Sequence, residues 1–133
     1  MSKSDVLLES LKKFFSDENH QKILKDILST HDGPSLRKLE SFITVKSKHD
    51  NISYTTKDGR TFTVYVAYKS SLSGYSKRLF DPFCRTDRIT FMGLSTTVAQ
   101  LNFIRWCIQN DVIYNMSAQT VGTDAKDHSV SVQ

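Results

Sequence analysis

Apolar residues recur at helical spacing through the first 44 positions. Leu7, Leu8, Leu11, Phe14 and Phe15 mark one face behind Ser4, a capping residue, and Ile23, Leu24, Ile27 and Leu28 mark another behind Asp17. His31-Asp32-Gly33 interrupts the pattern, and Pro34 suits the first turn of a third helix, whose missing N–H costs little there. Leu36, Leu39, Phe42 and Ile43 give that helix a buried face, with Arg37, Lys38 and Glu40 outside. The period then shortens. Two runs flank Lys57-Asp58-Gly59-Arg60, where Asp-Gly suits a tight turn, and residues 61–68 alternate: Phe62, Val64, Val66 and Tyr68 against Thr61, Thr63, Tyr65 and Ala67. This predicts a hairpin of 52–56 with 61–68.

From Lys69 to Asp87 no period holds. Gly74 and Asp81-Pro82 oppose a long continuous helix, and residues 75–80 fit a single turn. Arg88 to Met92 predicts a third strand, and Gly93 with Ser95 marks a turn. Thr96 or Thr97 then caps a helix, VAQLNFIRWCIQN, with one stripe of Val98, Leu101, Ile104, Cys107 and Ile108 and a second of Ala99, Phe103 and Trp106. A helix apolar over so much of its circumference is central to a core or packed on a partner. After Met116 the chain turns polar. The fold class implied is α+β: N-terminal helices and a C-terminal helix packed on a small antiparallel three-stranded sheet, one domain over 1–116, and a polar flexible tail over 117–133.

Composition agrees with a single core. The chain has 133 residues, 38% of them hydrophobic, which suits one globular domain. No apolar run approaches the roughly 18 residues of a membrane span, and the start lacks the pattern of a secretory signal, so no membrane partner is expected and an intracellular setting is. Cys84 and Cys107 then read as reduced thiols.

Charge changes the picture more. The formal net charge is +4; residues 1–50 hold 9 Lys/Arg against 8 Asp/Glu, whereas 51–116 hold 8 against 4. The excess lies in the middle, around YKSSLSGYSKRLFDPFCRTDRITF, residues 68–91, where cations interleave with aromatic rings. Two readings stay open. Phe80 and Phe83 plug the core, Asp81-Pro82 starts a turn and the arginines pair with Asp58, Asp81 or Asp87. Alternatively Lys69, Lys77, Arg78, Arg85 and Arg88 contact phosphates while Tyr75 offers a ring for stacking. The order helix, helix, helix, strand, turn, strand also admits a winged-helix reading, with Ser35–Thr44 as recognition helix and Lys57 and Arg60 on the wing. Phe103, Trp106 and Ile113 are either core or a patch for a homodimer or protein partner.

Chemistry-bearing motifs are few. The histidines His20, His31, His49 and His128 and the two cysteines share no metal-ligand spacing, so no metal or cofactor is expected. Cys84 beside Arg85 lacks a nominated base or oxyanion donor, and no phosphate-cradling glycine loop is present. The expectation is a non-enzyme without a small-molecule substrate.

Tyr68-Lys69-Ser70-Ser71-Leu72, Tyr75-Ser76-Lys77, Asp81-Pro82-Phe83-Cys84-Arg85 and Thr96-Thr97-Val98-Ala99-Gln100-Leu101-Asn102-Phe103 together resemble a family of small uncharacterised proteins of nucleocytoplasmic large DNA viruses, over residues 35–114. The chain departs from that pattern at Thr86, where a second basic residue is expected, at Ala99, where glycine is, and at Ile104, where an aromatic is. The resemblance implies a viral origin and a place in host cytoplasm, viral factory or virion; it implies no activity. The functional expectation is a non-enzymatic nucleic-acid-associated accessory protein; a viral structural or interaction module using the Phe103/Trp106 face is the alternative.

Overall fold

The computed structural model describes residues 2–29 and 35–117. The predicted break at His31-Asp32-Gly33, Pro34 and the tail from 118 lie outside them. Helix α1 (Lys3–Phe14) begins earlier than the Ser4 cap predicts, because the Ser2 hydroxyl accepts the Asp5 N–H at 3.2 Å. Helix α2 (Glu18–Leu28) starts where expected: the Asp17 carboxylate accepts N–H groups of Asn19 and His20 at 2.8 and 3.1 Å.

Helix α3 (Leu36–Ser41) is capped by Ser35 and does not end near Thr44. A π-helical segment (Phe42–Lys46) carries it into α4 (Ser47–Asp50). Leu39, Phe42, Ile43 and Ser47 are buried along this face, and Ser47 donates to the Ile43 carbonyl at 2.5 Å, occupying an acceptor of the widened turn. Asn51, left-handed at φ 51°, ends the helix, a conformation its short side chain tolerates.

Strands β1 (Ser53–Thr55) and β2 (Thr61–Thr63) pair antiparallel with Tyr54 opposite Phe62. Gly59 supplies the left-handed residue of the turn at φ 89°, and its N–H closes onto the Thr56 carbonyl at 2.9 Å. The return strand stops five residues short of the predicted one. Val64–Tyr75 is helix α5, with no loop between it and β2. Val64 and Tyr68 are buried and Leu72 packs against the core, a spacing of four, while Val66 is 64% exposed. Burial on a four-residue period overrides the strand preference of the valines.

The single turn expected within 75–80 is α6 (Lys77–Phe80). Ser76 joins it to α5 at φ 78° and ψ 161°, a region that only glycine enters without strain. Ser76→Gly is expected to stabilise the fold by about 1 kcal/mol, the relieved strain less the extra chain entropy of glycine, read as a higher urea midpoint at unchanged slope.

The three-stranded sheet does not form. β3 (Ile89–Phe91) pairs instead with β4 (Leu94–Thr96), giving two separate two-stranded sheets. β2 leaves its sheet at Thr63, and the two-residue Met92-Gly93 loop, left-handed at both positions (φ 51° and 80°), folds the chain straight back on itself.

Helix α7 (Val98–Gln109), capped by Thr97 through the Gln100 N–H at 3.1 Å, packs against α1, α2 and α6. Residues 99–107 are buried without interruption, so both predicted stripes face core. Residues 112–117 form a last helical turn. Phe80 sits at the centre of the aromatic cluster, its ring centroid 5.6–5.9 Å from those of Tyr68, Tyr75, Phe103 and Trp106. Among the described residues no helix is long and apolar enough to cross a membrane.

Candidate nucleic-acid interface

The segment of residues 68–91 divides between core and surface. Tyr68, Phe80 and Phe91 are buried, which anchors the segment. Lys69, Tyr75, Lys77, Arg78, Arg85 and Arg88 are all exposed. Two rings stay partly open: Tyr75 (39% exposed), stacked on Phe80 with planes 14° apart, and Phe83 (45% exposed), with the Arg37 guanidinium 5.5 Å above it. Phe83 therefore plugs nothing. Asp81 does start a turn: its carboxylate accepts the Phe83 N–H at 2.9 Å and its carbonyl accepts the Cys84 N–H at 3.1 Å.

Within this segment the arginines do not pair with Asp58, Asp81 or Asp87. Among the described residues none of the five cations has a carboxylate within 4.0 Å, and Asp58 is held by Arg60. Arg88 donates to the Ser95 hydroxyl and carbonyl at 3.0 and 2.9 Å, which lays it along the β3–β4 hairpin. Tyr75, Arg78 and Arg88 line three different clefts of about 530, 270 and 280 Å³, the first two sharing Leu79. One local negative spot interrupts the surface. Burial first, and Asp81 second, raise the Glu40 carboxyl from its ordinary value, and burial with Asp81 pushes the Tyr68 phenol up to about 12.

The cations of the winged-helix reading are engaged with their own domain. Lys57 lies 5.4 Å from the Tyr114 ring centroid, and Arg60 grips Asp58 at 2.9 and 3.1 Å. The partner patch also needs correction. Phe103 is fully buried and Trp106 only 8% exposed, while Ile113 is half-buried against the core. α7 lies between α1, α2 and α6, so its second stripe has no free face to offer.

Sequence reading passed over three polar residues of α7: Gln100, Asn102 and Arg105, all buried. Gln100 donates to the Pro82 carbonyl at 3.1 Å and accepts from Thr96 at 2.8 Å. Asn102 donates to the Leu79 carbonyl at 2.8 Å and accepts from Arg105 Nη2 at 3.0 Å; Arg105 Nη1 reaches Ser10 on α1 at 2.7 Å. These bonds fasten the 79–82 backbone, and with it the exposed cations on either side, to the core helix. The available signal was polar residues at 100, 102 and 105 in a helix whose only other polar residue is its last, Gln109. Among the described residues no three His, Cys, Asp or Glu side chains gather as a metal site, and burial pushes the Cys107 thiol well up.

Over residues 1–129 the sequence matches a family of unknown function, DUF7197. It is also similar to the uncharacterized protein L507 of Acanthamoeba polyphaga mimivirus, 34% identical over 121 residues, covering 80% of this chain and 47% of that protein. The chain thus spans about half the length of the curated relative it matches. No solved structure matches it.

Proposed function

The chain belongs to DUF7197, a family of unknown function, and on that footing we propose that it is a non-enzymatic, nucleic-acid-associated accessory protein of a large DNA virus. Its binding surface is Lys69, Lys77, Arg78, Arg85 and Arg88, with Tyr75 as the stacking ring. The observation that carries this reading is the state of those five side chains: exposed, with no ion pair among the described residues, and anchored by a turn strapped to α7. Residues 69–88 carry five cations against two carboxylates, Asp81 and Asp87, so the charge of the segment favours a polyanion. Such contacts position a strand without reading its sequence. The place of action proposed is the host cytoplasm or viral factory, with the virion as a further location.

The test is a fluorescence-anisotropy titration with single- and double-stranded DNA and RNA at about 50 and 200 mM salt. Affinity is expected to fall steeply with salt. Lys77→Ala with Arg78→Ala is expected to weaken every sequence about tenfold and to flatten the salt slope by about 2, one for each phosphate no longer neutralised. Binding that ignores the double substitution would remove this surface from the mechanism.

A further inference from the structure

Arg105 is the one arginine of the core helix, 9% exposed, and both its hydrogen-bond partners, Ser10 and Asn102, are neutral. Among the described residues no carboxylate lies within 4.0 Å of it. A guanidinium taken out of water without a counter-charge is costly, and buried arginines are normally paired. Among the described residues its Nε has no hydrogen-bond partner and no buried side-chain nitrogen or oxygen goes unpartnered, so Nε retains accessible surface. Arg105 also lines the cleft of about 530 Å³ between α1 and the α5–α6 joint.

The rest of that cleft has matching chemistry. Lys3 brings a second cation from α1, Ser10 and Tyr75 bring hydroxyls, and Leu79 contributes apolar wall. Among the described residues no carboxylate lines it; Glu9, on the same helix, is held by Lys12 at 3.0 Å. Two cations on different helices, with the Ser10 hydroxyl beside Arg105, offer donors from several directions to an anion with several terminal oxygens. The Tyr75 ring is stacked on Phe80 through one face, which leaves its other face for a flat aromatic group. The volume falls in the range of small-molecule sites.

We propose that the cleft between α1 and the α5–α6 joint binds a phosphate monoester carried next to a nucleobase, the phosphate against Arg105 and Lys3 and the base on Tyr75. This chemistry has two sources, a free nucleoside monophosphate or the phosphorylated end of a strand. Only the second rests on the nucleic-acid reading above. The site shares Tyr75 with the surface proposed above but none of its cations, since Lys77 and Arg78 do not line this cleft.

Gly74 provides the cleanest test. It lines the cleft in helical backbone, and a Cβ placed there meets nothing within 4 Å. Gly74→Leu therefore fills the cleft while favouring the helix. Calorimetric titrations would use the full chain with deoxynucleoside 5′-monophosphates, the parent deoxynucleosides, inorganic phosphate, and one oligonucleotide with either a 5′-phosphate or a 5′-hydroxyl. Saturable binding of a monophosphate, at least about tenfold tighter than either its nucleoside or phosphate alone, is expected. Gly74→Leu and Lys3→Ala should each weaken it about tenfold or more, with the melting temperature of the unliganded protein not lowered. A preference for the 5′-phosphorylated strand assigns the ligand to a strand end; monophosphate binding without that preference assigns it to the free nucleotide. No saturation by any monophosphate at millimolar concentration, or binding untouched by Gly74→Leu, overturns the proposal. Lys77→Ala with Arg78→Ala should leave monophosphate binding intact, which separates failure of this site from failure of the surface.

Discussion

Replacing Phe80 with alanine is expected to cost about 3–5 kcal/mol of folding stability, the largest single-residue effect in this molecule. The ring is fully buried and meets four other aromatic rings, on α5 and α7. α6 is a single turn between the strained Ser76 joint and the Asp81 turn, so its own backbone bonds cannot hold it if the ring is removed. The loss combines the transfer of the ring's apolar surface with a cavity that the rigid α7 cannot close. Set against a total stability of about 5–15 kcal/mol, this approaches unfolding. Trp106 is the one tryptophan, with its ring centroid 5.7 Å from that of Phe80, so its fluorescence reports the urea transition directly. Phe80→Leu should lose less than half as much. A Phe80→Ala midpoint within about 1 kcal/mol of the parent would show that the ring is not the keystone described.

Asn102→Leu should cost about 3 kcal/mol although the new side chain matches in size. Asn102 serves two partners at once, the Leu79 carbonyl and Arg105 Nη2, and each loses that bond when it becomes apolar. The charged partner makes the loss larger than for a neutral pair. Arg105→Leu should cost less, because it also removes the burden of a buried charge, and its other partner, Ser10, is exposed and can turn to water. Combining the two should cost clearly less than the sum of the single changes, a coupling that a double-mutant cycle by urea denaturation measures. Additive effects would mean that the two side chains do not share one network.

What could be read from the sequence divides by how many patterns a segment satisfies. α1, α2 and α7 each show one period, and α2 carries its predicted cap. Residues 64–68 satisfy two: Val64, Val66 and Tyr68 alternate like a strand, yet Val64, Tyr68 and Leu72 recur every four residues. Leu72 was the deciding residue, and it lay beyond the window in which the alternation looked clean. β4 was hidden because Met92 stands where such a loop usually has asparagine or glycine. At the surface, the exposure of Lys77, Arg78 and Arg85 follows from residue type alone. Arg105 could not be found that way, since arginine is rarely buried and nothing in one sequence says which helix face meets which neighbour.

Helix α7, against which α1, α2 and α6 all lean, is the last long element of the described chain. On the ribosome, α1 and Phe80 emerge before the helix they pack on exists. The bond between Ser10 and Arg105 closes 95 residues of chain, so the first helix waits for nearly the whole domain to be made. Folding of this domain is therefore expected to wait until α7 has been made, leaving an interval in which the nascent chain depends on chaperones to stay free of aggregation.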